Sequence, residues 1–413
     1  MNSAVTQQCF LYGCVALGFL CLNSAAAHAE TDIQPSFRLS GWSSNRLNDN
    51  DRGTISGDIW IRARSTIAST VTVKVEAWAG TDPIASRTAG GDVREAHATV
   101  NMGAIKLTLG RQLLGWGRAD RINPTDMISA RDLRRLVEEE EDNRLGIGAV
   151  SLSAPLARGS LTAHWLPEFR ASKLPQNLGS NSLSVLRRVP VKGENDFALR
   201  YERFGSKVDI SLTYANIADR LPWITLAAGP NGRPALQTTH PRLQMFGADM
   251  ATTLGDYGIR AELAAYTYNK GEISQYSTGK TRFAGVIGVD RSFSGQWSFI
   301  LQGVVRISDR APVTGLNAPI AERNANIHGA WKSLILGGFA RVKKGFSGDR
   351  ASAEIVGAML SGGGRFGQLK MAYTLRDSVK VHFLAERYGG RDDTYLGRLK
   401  RNNLFMLGLK AGF

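Results

Sequence analysis

Alternation of apolar and polar residues, repeated along nearly the whole chain, is the sequence feature that most restricts its fold. Near residue 70, for example, Val71, Val73 and Val75 alternate with Thr72 and Lys74. A period of two indicates β-strands, because successive side chains of a strand point to opposite faces of a sheet. A soluble sandwich would explain any single strand of this kind. Charged polar faces throughout, with no helical domain to cover the apolar faces, instead predict an all-β, transmembrane antiparallel β-barrel.

The connections between the predicted strands alternate between tight turns and long polar loops. This arrangement is typical of an outer-membrane barrel with both termini in the periplasm, and we predict about 18 strands, with about 16 as the alternative. The predicted strands start near residues 36, 54, 70, 93, 103, 145, 159, 196, 206, 242, 257, 281, 295, 331, 351, 366, 378 and 403. Aromatic residues near strand ends fit the two girdles of such a barrel, among them Trp60, Trp78 and Trp165.

The N-terminal segment, residues 1–29, has the pattern of a secretory signal peptide. An apolar run at residues 8–22 is followed by Ala-His-Ala at 27–29, which is a typical cleavage pattern. We therefore expect the barrel to comprise residues 30–413. Because Cys9, Cys14 and Cys21 all lie in the signal, the mature chain lacks a thiol for a disulfide or a metal site.

The chain carries a net charge of +15, all of it after the predicted signal. A basic surplus suits nucleic acid, anionic lipid or an anionic permeant, and export makes nucleic acid an unexpected partner. The partners we expect are outer-membrane lipid and lipopolysaccharide, the barrel-assembly machinery, and a small-molecule or polymer permeant. We expect no cofactor and no metal.

One long loop, residues 113–144, is unusually rich in charges of both signs. It is the third long loop, and it is too long for a passive connection; we predict that it folds inward and narrows the pore. If residues 130–140 form a helix, Asp132 and Arg135 share a face, as do Arg134 and Glu138. The acidic run, residues 138–142, would then lie near Arg62 and Arg64 and create a transverse field across the constriction. The alternative is a solvated helix lying over the barrel mouth. The predicted lumen and constriction residues are Arg62, Arg64, Lys74, Arg118, Arg121, Asp126, Arg131, Asp132, Arg134, Arg135, Glu138, Glu139, Glu140 and Glu141.

Strand parity assigns further charged residues to the lumen, and when Arg62, Arg64 and Lys74 are included, eleven basic residues face eight acidic ones. Such an excess predicts a mild preference for anions, whereas cross-strand pairs that neutralise each other are the alternative. The further candidates are Lys106, Arg200, Lys207, Arg260, Arg306, Lys370, Lys380 and Lys410, against Asp58, Glu76, Glu202, Asp209, Glu262, Asp290, Glu354 and Glu386.

The last strand carries the most specific motif. Phe405, Leu407 and Leu409 recur at every second position, and the chain stops at Phe413. This strand resembles the terminal assembly signal of bacterial outer-membrane proteins. Together with the signal and the alternating strands, it makes the chain similar to Gram-negative outer-membrane porins, which implies a channel in the outer membrane.

A local run from Leu109 to Asp132, LGRQ…GWGRADRINPTD…RD, resembles a motif of alginate-export-like and hydrophobic-compound-export-associated porins. That resemblance implies an export pore for an anionic polysaccharide or a hydrophobic compound as the alternative to a general solute channel. Apolar patches in two long loops, residues 183–191 and 221–228, are compatible with a hydrophobic permeant.

An outer-membrane enzyme and a surface-binding structural barrel are the alternatives of a different class. No histidine of the mature chain has the spacing of a nucleophile elbow or a metal site, so we predict no catalytic residues. A histidine within hydrogen-bond reach of a serine or a carboxylate is the geometry that would favour an enzyme.

Overall fold

The computed structural model describes residues 30–412 except 45–52, 68, 82–88, 136, 175–184, 189–195, 206, 229–233, 269–275, 277–278, 280, 311, 347, 349 and 393. The predicted signal peptide and Phe413 therefore lie outside the described residues. The strands of the described part are β1 (Glu30–Ser44), β2 (Gly53–Ile67), β3 (Val71–Thr81), β4 (Ala89–Met102), β5 (Ile105–Gln112), β6 (Ile147–Leu156), β7 (Gly159–Leu166), β8 (Val185–Arg188), β9 (Asp196–Arg203), β10 (Val208–Ala218), β11 (Trp223–Ala228), β12 (Pro234–Thr239), β13 (Arg242–Leu254), β14 (Tyr257–Tyr268), β15 (Thr281–Phe293), β16 (Trp297–Ser308), β17 (Leu334–Phe346), β18 (Ala351–Leu360), β19 (Gly364–Arg376), β20 (Val379–Gly389) and β21 (Leu404–Gly412).

All but three of these strands form one closed, 18-stranded antiparallel barrel, as the alternation predicted. Each strand pairs with the next along the chain, and the three exceptions, β8, β11 and β12, belong to a separate small sheet. β1 pairs with β21 from Ser36 opposite Gly412 to Ser44 opposite Leu404, which closes the barrel. Closure gives every strand two partners, so the sheet has no free edge.

Apolar side chains cover the outside of the barrel, and polar side chains point into its lumen. On β2, Ile59 and Ile61 are exposed, whereas Trp60 between them is buried. On β14, Leu263 is exposed and the preceding Glu262 is buried. An apolar exterior around a charged interior is the arrangement that a lipid bilayer requires of a barrel. Among the described residues, no helix is long and apolar enough to cross a membrane.

The last strand, β21, shows the expected alternation between lipid and lumen. Phe405 and Leu407 are exposed on the outside, whereas Leu404 and Met406 are buried on the lumen side. Trp42 of β1 and Leu384 of β20 pack with these two inward residues. The apolar part of the proposed assembly signal therefore lies on the seam that closes the barrel; its role in assembly stays a prediction.

The connections are short at one end of the barrel, which we call the short-turn end, and mostly long at the other, the long-loop end. Two helices lie in the long loops, α1 (Ala318–Ile327) and α2 (Tyr395–Arg398). The small sheet also belongs to this end, and Ile224 of β11 and Leu236 of β12 pack against Ile320 of α1. The side chain of Asn324 joins α1 to β11, because its Oδ1 accepts the Ile224 N–H and its Nδ2 donates to the Ile224 carbonyl, each at 2.8 Å.

Candidate functional site

The loop 113–144, here called the inward loop, crosses the lumen and contacts strands on opposite sides of the barrel. Leu114, Trp116 and Ile128, in the first half of the loop, pack into the largest buried apolar cluster of the described residues, together with Leu243 and Met245 of β13. The inward third loop that the sequence predicted is therefore present. The described residues of 130–140 do not form an α-helix; they have bends, isolated bridges and the start of one 3-10 turn at Glu140–Asn143.

One part of the loop, residues 118–126, is bound to buried carboxylates of β13 and β14, and we call it the anchored end. Glu262 accepts the backbone N–H groups of Arg118 and Ala119, and the Thr125 hydroxyl donates to it over 3.2 Å. The Arg118 guanidinium lies 2.7 Å from Asp249. Glu262 is 1% exposed, so these hydrogen bonds form away from water, where losing them costs most.

Three further contacts join this region to the wall, two of them to strands other than β13 and β14. Asp120 lies 3.1 Å from Arg341 of β17. Arg121 donates to Glu140 of the loop itself and, over 3.3 Å, to Gln368 of β19. The Tyr266 hydroxyl of β14 donates to the Pro124 carbonyl. The loop is therefore tied to strands on both sides of the point where it crosses the lumen.

The middle of the loop is held by charge pairs within the loop and with the next long loop. Asp126 lies 2.8 Å from Arg131 and 2.6 Å from Arg144. Asp132 lies 2.9 Å from Arg134 and 3.3 Å from Lys173. Burial by itself raises the pKa of Asp132, but the hydrogen bond from Arg134 and the charge of Lys173 outweigh burial and lower this pKa below its usual value.

The side-chain pairs that a helix would have formed, Asp132 with Arg135 and Arg134 with Glu138, are not among these contacts. Arg135 has a different role. Its guanidinium stacks 3.5 Å from the ring centre of Trp78 and lies 3.6 Å from Asp58. Trp60 and Trp78 stack on each other and are both buried on the lumen side. The expectation that these two tryptophans belong to the interfacial girdles is wrong, because they form the surface on which Arg135 packs.

The acidic run, residues 138–142, lies against β1, β19 and β20, and we call it the acidic end. Glu138 lies 3.2 Å from His382, and Glu139 lies 3.6 Å from Lys370. Asp142 lies 2.5 Å from Arg38 and 3.7 Å from Arg94. Glu140 and Glu141 instead pair with Arg121 and Arg144 of the loop itself.

The basic wall residues that the sequence singled out have other partners. Arg62 donates to Glu76 over 3.0 Å, and Lys74 pairs with Glu95. Arg64 is exposed and lies opposite Lys74 in the register of β2 and β3. The acidic end thus contacts Arg38, Lys370 and His382 where Arg62 and Arg64 were expected.

The alternation of residues in the sequence did not predict that the Arg94 side chain points into the lumen. A β-bulge in β4 places two residues, Arg94 and Glu95, where the register otherwise has one, and both side chains are buried. A bulge re-aims a side chain in this way. Arg94 pairs with Glu76 and donates to the carbonyls of Glu141 and Arg144, so it holds the end of the inward loop.

One serine–histidine contact meets the distance criterion for the enzyme alternative. The Ser151 hydroxyl lies 2.8 Å from His164 Nδ1, but it donates its proton to Gln112 Oε1 over 2.9 Å. A general base must accept the serine proton, so this direction of donation does not activate Ser151. Three histidines meet carboxylates, His97, His328 and His382, and none of the three lies against a serine hydroxyl in the described hydrogen bonds.

The closed barrel, its apolar exterior and its charged, loop-crossed lumen define a protein of the bacterial outer membrane. The sequence profile of the family described as "Protein of unknown function (DUF1302)" matches residues 91–299, just over half of the 413 residues. The chain therefore belongs to this family. A comparison with curated proteins finds no match.

Solved outer-membrane proteins share the fold at low sequence identity. OccAB3 of Acinetobacter baumannii superposes with a TM-score of 0.57 at 11% identity, over 93% of this chain and 99% of that chain. OccAB2 of the same organism gives 0.56 at 11% identity, over 93% and 98%. OpdK of Pseudomonas aeruginosa, solved with vanillate, gives 0.54 at 12% identity, over 93% and 98%. These likenesses confirm the porin-type barrel.

Proposed function

We propose that this protein is an outer-membrane channel for small solutes with a mild preference for anions. The observation that supports a channel is the wet, charged lumen around the inward loop. Arg62 and Lys74 keep 40% and 42% of their side chains exposed although they point inward. A barrel of 18 strands is wide enough to leave an aqueous channel, whereas small barrels fill their interior with packed side chains.

The preference for anions rests on the charge of the lumen. Arg and Lys side chains outnumber Asp and Glu among the lumen candidates, and the chain as a whole is basic at +15. Many of these charges are paired, which makes the expected selectivity small. OpdK, a structural neighbour, was solved with vanillate; vanillate is an organic anion and supplies a first probe for this channel.

The export alternatives have less support. The apolar loop patch that suggested a hydrophobic permeant includes Trp223 and Ile224, and both are buried, packed against other residues of the long-loop end. The other patch, residues 183–191, lies mostly outside the described residues. Outer-membrane lipid, lipopolysaccharide and the barrel-assembly machinery remain the partners that we propose.

Reversal potentials in a salt gradient across a planar bilayer test this function. We expect a small preference for anions in the wild type. Changing Arg62, Arg64 and Lys74 together to Gln should move the reversal potential toward cations, because it also leaves Glu76 and Glu95 without these partners. A control for the removal of a single cation outside the lumen is Arg291→Gln, because Arg291 pairs with Asp256 at a short turn. A cation-selective wild type would rule the proposal out.

A further inference from the structure

Three cations lie side by side on neighbouring strands of the lumen wall. In the register of the barrel, Lys380 of β20 lies opposite Lys410 of β21, and Lys410 lies opposite Arg38 of β1. Their parity is that of the buried residues His382 and Met406, so all three point inward. Like charges directly opposite each other on adjacent strands repel. A row of this kind is favourable where anions lie against it.

The acidic end of the inward loop supplies anions to only part of this row of cations. Asp142 contacts Arg38 at 2.5 Å, and Glu138 and Glu139 contact His382 and Lys370, which flank the row. Glu138 and Asp142 also act electrostatically on Lys410. Yet neither Lys380 nor Lys410 has a carboxylate oxygen within 4.0 Å among the described residues.

Within the acidic end, the contacts of Glu138 and Glu139 are held less firmly than the buried pair of Asp142 with Arg38. The Glu139 side chain is 57% exposed although it faces Lys370, and exposed ion pairs of this kind contribute little. Glu138 is more buried, and burial, together with the neighbouring Glu139, raises its pKa above the usual value despite the opposing charges of Lys380 and Lys370. The loop carboxylates therefore neutralise part of the positive charge of the wall, but they make no close contact with Lys380 or Lys410 among the described residues.

We propose that Lys380, Lys410 and Arg38 form a binding site for a permeant that carries two or more carboxylates, and that the acidic end occupies this site as an internal competitor. The inference rests on the proposed channel function and adds the substrate class. The loop presents several carboxylates within a few residues to one cluster of cations, which is the chemistry of a small polycarboxylate. Such a solute competes with Glu138, whose charge already interacts with Lys380 and Lys410, because it can contact both lysines, which lack a carboxylate within 4.0 Å among the described residues.

Block of single-channel chloride current by citrate, measured in planar bilayers, tests the site. E138Q/E139Q should lower the half-blocking citrate concentration by about three- to tenfold, the range expected when two weak competing pairs are removed. The matched control is E140Q/E141Q, which makes the same change in charge, but at residues that pair with Arg121 and Arg144 of the loop. This control should move citrate block much less.

K380Q/K410Q should abolish citrate block while chloride current persists. Heat-modifiable gel migration shows whether each variant has assembled. If the lysine variant fails to assemble, the two glutamate variants decide the question, and equal effects of both pairs overturn the proposal. Unchanged citrate block in an assembled K380Q/K410Q barrel also overturns it. If the wild type conducts anions and citrate does not block it, this inference alone fails; a cation-selective wild type removes the proposed function itself.

Discussion

The two ends of the inward loop meet the barrel wall in different ways. At the anchored end, Glu262 and Asp249 are buried and bind Arg118, Ala119 and Thr125 through charge-assisted hydrogen bonds. At the acidic end, the loop supplies the carboxylates and the wall supplies the cations. There the three consecutive side chains of Glu139, Glu140 and Glu141 stay more than half exposed.

This difference determines which end can move. A buried acceptor of several hydrogen bonds is expensive to vacate, because its partners are left without water, whereas an exposed ion pair exchanges readily for solvent. The wall of β13 and β14 therefore fixes the path of the loop, whereas at the wall of β19 to β1 only Asp142 is held by a buried pair, with Arg38, and the exposed Glu139 is restrained lightly. The same sequence feature, a dense cluster of charges, has a structural role at one end and is available for ligand exchange at the other.

Removing both ends together should have the largest effect. We expect deletion of residues 117–141 to raise single-channel conductance severalfold, because the segment crosses the lumen between opposite walls. The measurement is made in planar bilayers on barrels whose heat-modifiable migration shows correct assembly. Unchanged conductance in such a barrel would show that the loop lies outside the conduction path.

Releasing the anchored end alone should have a smaller effect. Glu262→Ala leaves two backbone N–H groups and the Thr125 hydroxyl without their acceptor. Each buried group left unsatisfied costs about 1–3 kcal/mol. We expect the gel transition of the barrel to occur at lower temperature, and trypsin to cleave the loop at Arg118 or Arg121 faster than in the wild type.

The control for this prediction is Glu354→Ala. Glu354 is a lumen candidate on β18, and the described hydrogen bonds and ion pairs of the structure do not include it. It lies opposite Lys370 in the register, so it also removes one wall carboxylate. Equal protease sensitivity of the two variants would mean that the charge of the lumen determines the stability of the loop, and that the hydrogen bonds accepted by Glu262 do not.

The strands were predictable from the sequence because lipid imposes alternation on every one of them. Even Glu262 was assigned correctly to the lumen by parity alone, since its neighbours Ala261 and Leu263 face outward. The bulge that turns Arg94 inward was not predictable, because an extra residue breaks the parity without a signal in the residue types.

The contacts of the inward loop could not be predicted from the spacing of its residues in the sequence. Asp132 was expected to pair with Arg135 on a helix, but it binds Arg134 and Lys173, and Lys173 comes from the next long loop. Backbone bridges from Arg131 to Arg144 and from Asp132 to Lys173 hold this part extended. Contacts between loops decide such a path, and one sequence gives the charges without their positions.

Protonating the acidic end should have the smallest effect. Burial raises the pKa of Glu138 above its usual value of 4.5, the neighbouring Glu139 adds to this, and Lys380, Lys370 and Lys410 oppose it. Glu138 therefore takes up a proton at a higher pH than an ordinary glutamate. A raised carboxyl pKa means that protonation favours the folded state, so the contribution of Glu138 to stability increases as the pH falls through that pKa.

The same protonation removes a negative charge that faces Lys370, Lys380, His382 and Lys410, with Asp142 and Arg38 beside it. We expect the anion preference of the wild type to rise by less than about twofold as the pH falls toward 4.5, and that rise to be smaller in Glu138→Gln. His382 contacts Glu138, so the difference between the reversal potentials of the two proteins reports Glu138 together with its effect on His382. Asp132, whose pKa is lowered, stays ionised over this range and does not contribute to the difference. Identical pH dependence in the two proteins would show that Glu138 does not exchange protons against the wall cations, and the acidic end would then be as fixed as the anchored one.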